Sequence, residues 1–236
     1  MKIIEKKPLF NSLDEIALGS ILLNNNLLVF YKKSNSISMF NQYLEKTVNL
    51  YINNNYITGT IFNDKICLIK SNEKDKIYIV NDFLKEYDII KPNFENNEKI
   101  IDITNKHNNN LIIATNNNIY SYNIKKEKLK NIVTEETNNL IGYNNILYKK
   151  GIDGIISRFN GSNNLITAII YYNKLLYIAY QKDGNSYIDA INDSGNIINH
   201  FYIEKNIIIK AIMHNGIFFI LLITKNNKFD YIYYLS

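Results

Sequence analysis

The chain is a succession of short apolar runs, each 5 to 8 residues long and built from Ile, Tyr, Leu, Val and Phe. Clusters of Asn, Asp, Gly and Lys separate them. β-Branched and aromatic runs of this length between turn-forming residues are the signature of strands. Apolar residues seldom recur at the three- and four-residue spacing that an amphipathic helix needs. One exception is Pro8 to Ala17, PLFNSLDEIA, where Asn11 or Ser12 can open a single helical turn. The pattern predicts an all-β protein.

The runs repeat as units. Their second strands begin at Leu27, Ile66, Leu111, Ile146, Leu175 and Ile217, at intervals of 39, 45, 35, 29 and 42 residues. A polar turn precedes each, and Asn215-Gly216 before the last is a strong hairpin signal because both turn positions favour positive φ. A third strand of common character follows in every unit, as in Ser36 to Phe40 and Ser186 to Ala190. A more polar fourth strand often comes next, as in Lys46 to Leu50 and Glu86 to Ile90. Four-stranded units of roughly 40 to 50 residues are the blades of β-propellers. Six such units predict a six-bladed β-propeller occupying residues 1–236 as one domain, with the fourth blade shortened. Seven blades and a β-sandwich are the alternatives. The last unit lacks a fourth strand, while Met1 to Lys7 has no unit of its own. That N-terminal strand is expected to complete the last blade and close the ring, which removes an exposed sheet edge.

Leu175 to Tyr202, LLYIAYQKDGNSYIDAINDSGNIINHFY, resembles the repeat of quinoprotein-like propellers, and Leu27 to Leu50 resembles the blades of NHL and related propellers. The likeness is to the propeller superfamily rather than to one family. The Trp-Asp ending of WD40 blades, the double glycines of kelch repeats and the Asp box of sialidases do not occur. No functional residue carries over from it.

Composition narrows function mainly by exclusion. Asn and Ile together fill over a third of the chain, which points to an A/T-rich source. The net charge is +5, yet Arg158 is the sole arginine. Proteins that grip phosphates favour the bidentate arginine fork, so specific DNA recognition is not expected. Nothing in Met1 to Phe10 resembles the apolar core of a signal peptide. Ile207 to Ile223, the most apolar stretch, is broken by Lys210 and the His214-Asn215-Gly216 turn, so it reads as a hairpin and not as a membrane span. The one cysteine, Cys67, lies among apolar neighbours as a reduced core residue. An intracellular location is the expectation.

Chemistry-bearing motifs are scarce. Phosphate-binding glycine loops and a GxSxG nucleophile elbow do not occur. Three scattered histidines (His107, His200 and His214) and one cysteine do not make a zinc set, so neither a metal nor a cofactor is expected. Asn192 to Asn196 is a hairpin turn and not a calcium loop. First strands line the channel of a propeller, and two of them bring charges there: Asp102 in the third unit and Lys210 in the sixth, opposite one another in a six-fold ring. Loops between second and third strands carry Lys32, Lys33, Lys74, Lys76, Lys149, Lys150 and Lys182, with Lys70, Lys225 and Lys228 nearby. Such a face attracts an acidic partner. The expected function is a non-enzymatic scaffold that binds another protein through loops on one face. The alternative is a hydrolase or lactonase acting on a small sugar or lactone in the channel.

Overall fold

A computed structural model describes residues 1–9, 17–31, 36–51, 55–81, 85–94, 98–106, 109–115, 119–131, 140–143, 146–149, 165–192, 196–226 and 228–236, the backbone alone at 131, 140–143, 146–149 and 165. The chain opens with β1 (Ile3–Pro8). Four antiparallel sheets follow in sequence order: β2 (Ala17–Leu23), β3 (Asn26–Tyr31), β4 (Ser36–Phe40) and β5 (Lys46–Tyr51); then β6 (Tyr56–Phe62), β7 (Lys65–Lys70), β8 (Ile77–Val80) and β9 (Glu86–Ile90); then β10 (Ile100–Lys106), β11 (Asn110–Thr115), β12 (Ile119–Asn123) and β13 (Lys128–Asn131). After a hairpin of β14 (Leu140–Tyr143) and β15 (Ile146–Lys149) comes the fourth, β16 (Leu165–Tyr172), β17 (Leu175–Lys182), β18 (Asn185–Asn192) and β19 (Ile197–Lys205). The fifth sheet is β20 (Ile207–His214), β21 (Phe219–Lys225), β22 (Phe229–Leu235) and β1, which runs antiparallel to β22 with Lys6 opposite Tyr233.

These sheets are the blades of a five-bladed β-propeller, which corrects the expectation of six. The inner strands neighbour one another in the cycle β2, β6, β10, β16, β20 and back to β2. Thus β10 packs directly on β16. The strands taken for a shortened blade, β14 and β15, form a two-stranded sheet of their own in the connection between the third and fourth blades. The short 29-residue interval was the mark of an insertion. The helical turn expected over Pro8 to Ala17 falls largely outside the described residues.

Five apolar clusters fill the five interfaces between blades. Leu27, Val29 and Tyr31 of β3 pack against the fifth blade, while Leu28 and Phe30 pack against the second. Likewise Ile66 and Leu68 face the first blade, and Cys67 and Ile69 face the third. Side chains alternate across a strand, so a middle strand buried on both faces must be apolar at every position. That requirement wrote the unbroken second-strand runs into the sequence. Burial also pushes the Cys67 thiol up to about 12, leaving it unreactive at neutral pH.

Tight turns join inner strands to second strands. Asn24 and Asn25, Asn63 and Asp64, and Asn173 and Lys174 all have positive φ, the geometry of two-residue hairpins. Asn215-Gly216 differs from expectation: Gly216 alone has positive φ, and the loop spans four residues. The Asn215 side chain accepts bonds from Ile217 N–H (3.0 Å) and Phe218 N–H (2.8 Å), which builds the longer turn.

Candidate functional site

Each inner strand carries a β-bulge at the same place: at Leu18, Ile57, Ile101, Thr167 and Lys210. Bulges bend a strand and re-aim the residues beside it. The residue after each bulge is Gly19, Thr58, Asp102, Ala168 or Ala211, and small residues prevail at this level. Gly19 is required, because a Cβ there would lie 2.1 Å from the Ile57 carbonyl oxygen of the next blade. Asp102 is the one charged residue at this level.

Three donors hold the Asp102 carboxylate. Thr58 Oγ1 from the second blade donates to Oδ1 (2.5 Å), as does the Ile103 N–H (2.9 Å), while the Ile169 N–H of the fourth blade donates to Oδ2 (2.7 Å). Two residues along β10, Thr104 Oγ1 accepts the Tyr171 N–H at 3.0 Å. Alternate side chains of β10 thus receive alternate backbone donors of β16, as a neighbouring strand would. Inner strands have no partner on the channel side, so these bonds satisfy N–H groups that burial would otherwise leave unpaired. Burial pushes the Asp102 carboxyl up to about 7 against the pull of its three donors.

A cavity of about 260 Å³ lies above this level, open towards the face bearing the first-to-second-strand turns. Asp102 and Thr58 line its depth, with Ser20, Thr60 and Thr104 on the walls. Aromatic residues gather at the mouth. Tyr172 stacks on His214 with centroids 3.6 Å apart, and Phe219 meets both edge-on. The Gly216 N–H donates to His214 Nδ1 at 2.9 Å, and burial holds the imidazole below its ordinary pKa. That bond suits the tautomer whose proton is on Nε2. Lys106 Nζ lies 4.9 Å from the Tyr171 ring centroid at the same rim.

A second cavity of about 230 Å³ opens on this face between the first and fifth blades. Leu27, Leu44, Ile217 and Tyr234 supply its apolar wall, and Asn25 and Asn215 supply amides. Ile217 is 73% exposed, and Tyr43 nearby is 70% exposed.

The residues expected from sequence divide unequally. Asp102 lines the cavity; Lys210 does not. One blade intervenes between their strands, so five-fold closure abolishes the opposition that six-fold symmetry implied. Lys210 is the extra residue of its bulge, where burial lowers its pKa and Asp230 raises it. Asp230 in turn accepts from Thr224 Oγ1 (2.6 Å) and from the Ala17 N–H (2.8 Å), tying the fifth blade to the first. Of the lysine face, Lys76 pairs with Glu73, and Lys225 pairs with Glu204 at 2.5 Å. Lys74 contributes its carbonyl to a bond from the Ile100 N–H, and Lys182 lies half-buried at the end of β17. Lys32, Lys33, Lys150 and the side chain of Lys149 lie outside the described residues, as does His107. His200 sits 2.6 Å from Asp189 in the outer half of the fourth blade, away from the channel. Among the described residues, no three His, Cys, Asp or Glu side chains cluster to hold a metal, and no helix is long and apolar enough to cross a membrane.

Thr58, Thr104, Tyr172 and His214 were missed as site residues. The spacing of Asp102 and Thr104 was a signal: two polar residues at period two among Ile100, Ile101 and Ile103. The aromatic rim left none, because Tyr172 and His214 are 42 positions apart in the numbering.

No protein-family model matches the chain, and no curated protein resembles it significantly in sequence. Its structure is similar to the glutaminyl cyclase of Myxococcus xanthus, with a TM-score of 0.65 at 7% identity, covering 100% of this chain and 95% of that one. It is also similar to a catalytically inactive virginiamycin B lyase of Staphylococcus aureus with quinupristin (TM-score 0.54, 18% identity, 98% and 88% covered) and to U3-55K (TM-score 0.57, 8% identity, 98% of both chains covered). Likenesses at such low identity reach only the architecture: this chain is a β-propeller.

Proposed function

We propose that the protein is a non-enzymatic binding module that docks a protein partner on the face bearing the first-to-second-strand turns. The observation that carries this reading is exposed apolar and aromatic surface set beside cavities there. Exposed Ile217 and Tyr43 stand beside two cavities, one rimmed by Tyr172, His214 and Phe219. Aromatic anchors entering or framing small pockets dominate binding energy at protein interfaces. The lysine face is the weaker candidate, since the amines of Lys76 and Lys225 are already matched within the chain. A hydrolase reading gains no support from Asp102, whose carboxylate accepts three bonds that join blades.

Capture of partners from the source lysate tests the proposal when wild type is compared with Ile217→Asp, Tyr172→Ala and Lys182→Glu. The first two variants are expected to lose a protein that wild type and the lysine variant retain. Loss confined to Lys182→Glu would overturn the assignment of the face.

A further inference from the structure

Among the described residues, the Asp102 carboxyl at the floor of the central cavity has no counter-charge. Asp102 is 4% exposed and receives only neutral donors, and among the described residues no lysine, arginine or protonated histidine pairs with it. No other described residue lining the cavity is a lysine, arginine or carboxylate, and His214 accepts the Gly216 N–H at Nδ1. Three donors leave about one of the roughly four acceptor positions of a carboxylate open. A buried carboxylate without a cation is costly, and an entering ammonium relieves that cost. Hydroxyls of Ser20, Thr60 and Thr104 stand in the same walls and can accept the remaining N–H groups of such a ligand. Ile170, half-buried two residues along β16 from Ala168, offers apolar contact to a short alkyl chain. Size limits the occupant as well. At about 260 Å³ the cavity falls below the roughly 300–1,000 Å³ of sites for drug-sized ligands, which suits a single extended side chain.

We propose that this cavity receives a primary alkylammonium group, and specifically a lysine side chain of the docked partner, with its ammonium at Asp102 and its methylenes along Ile170. This rests on the docking face proposed above and names the chemistry that anchors it. The partner's inserted residue is basic, the reverse of the acidic partner that the opposite, lysine-bearing face suggested.

Titration of the intact protein with Nα-acetyl-lysine methylamide at pH 8, followed by amide chemical shifts, tests the inference without any partner. The shifts are expected at Thr104, Ile169 and Tyr171. The norleucine analogue, which has no ammonium, is expected to bind at least about tenfold more weakly, as is the lysine derivative to Asp102→Asn. Equal binding of the two ligands by wild type would overturn the proposal even if the Asn variant failed to fold. Binding of n-butylammonium without the lysine derivative would overturn the partner side chain as the source. Either failure, with partner capture still sensitive to Ile217→Asp, would leave the docking face standing and remove only its anchor.

Discussion

The Lys6 ammonium of β1 lies 2.5 Å from Glu204 Oε2 of β19, so the N-terminal strand is fastened to the fourth blade as well as paired within the fifth. Glu204 also accepts from Lys225 Nζ (2.5 Å) and the Tyr233 hydroxyl (2.8 Å), and Lys6 stands 4.6 Å from the Tyr233 ring centroid. One carboxylate thus collects donors from three strands of the closing blade. Partial burial raises its pKa, but the hydrogen bonds from Lys225, Lys6 and Tyr233 outweigh that and hold it at about 2.

Replacing Glu204 by Gln should loosen closure. Solvent screens these pairs to about 1 kcal/mol or less, so the melting temperature should fall by about 2–4 °C at neutral pH. Because the folded pKa lies below the unfolded value of about 4.3, the contribution is present above pH 4 and disappears as pH falls towards 2. Melting curves of both proteins should therefore draw together as pH falls from 4 through 2. A constant difference across that range would show that Glu204 acts through packing alone.

Asp102 works with the opposite sign. Its folded pKa of about 7 exceeds the unfolded value of about 3.9, so the native state holds the proton more tightly and stability declines as pH rises between them. Urea unfolding of wild type should give a lower free energy at pH 8 than at pH 5, and Asp102→Asn should flatten that part of the slope. With one oxygen in place of two, the Asn side chain turns its NH₂ either towards the Ile169 N–H or towards the Thr58 and Ile103 donors, a cost of about 1–3 kcal/mol at every pH. Identical slopes in both proteins would assign the titration to another group.

Gly19→Ala probes the tightness of the ring. The added Cβ meets backbone, the Ile57 carbonyl oxygen, which cannot swing away as a side chain would. The first two blades must separate, at a cost of about 1–3 kcal/mol or more. An unchanged denaturation midpoint would mean that the inner strands are more widely spaced than this contact requires.

His214 should titrate below its ordinary value of 6.5, since burial disfavours the imidazolium. Protonation also places an N–H on Nδ1 against the Gly216 N–H. A folded pKa lowered in this way contributes stability that is lost as pH falls below that of the unfolded chain. An NMR titration should show the Gly216 amide shifting in step with the imidazole. A Gly216 resonance indifferent to that titration would break the link.

The strands and their order were legible in the chain because middle strands buried on both faces must be apolar throughout, as Ile66 to Ile69 and Leu111 to Ala114 are. The closing role of Met1 to Lys7 was legible from a missing fourth strand at the other end. Blade number was not. Leu140 to Lys149 has the same strand-turn-strand pattern as a blade, and local sequence does not say which inner strands become neighbours. That was decided by β10 packing directly on β16, through Asp102 and Thr104 receiving the N–H groups of Ile169 and Tyr171. The same contact determined the site. Sequence located a lone charge in a first strand, but only ring closure placed it beneath a cavity rimmed by Tyr172 and His214, residues that share a site because their blades are adjacent in the ring.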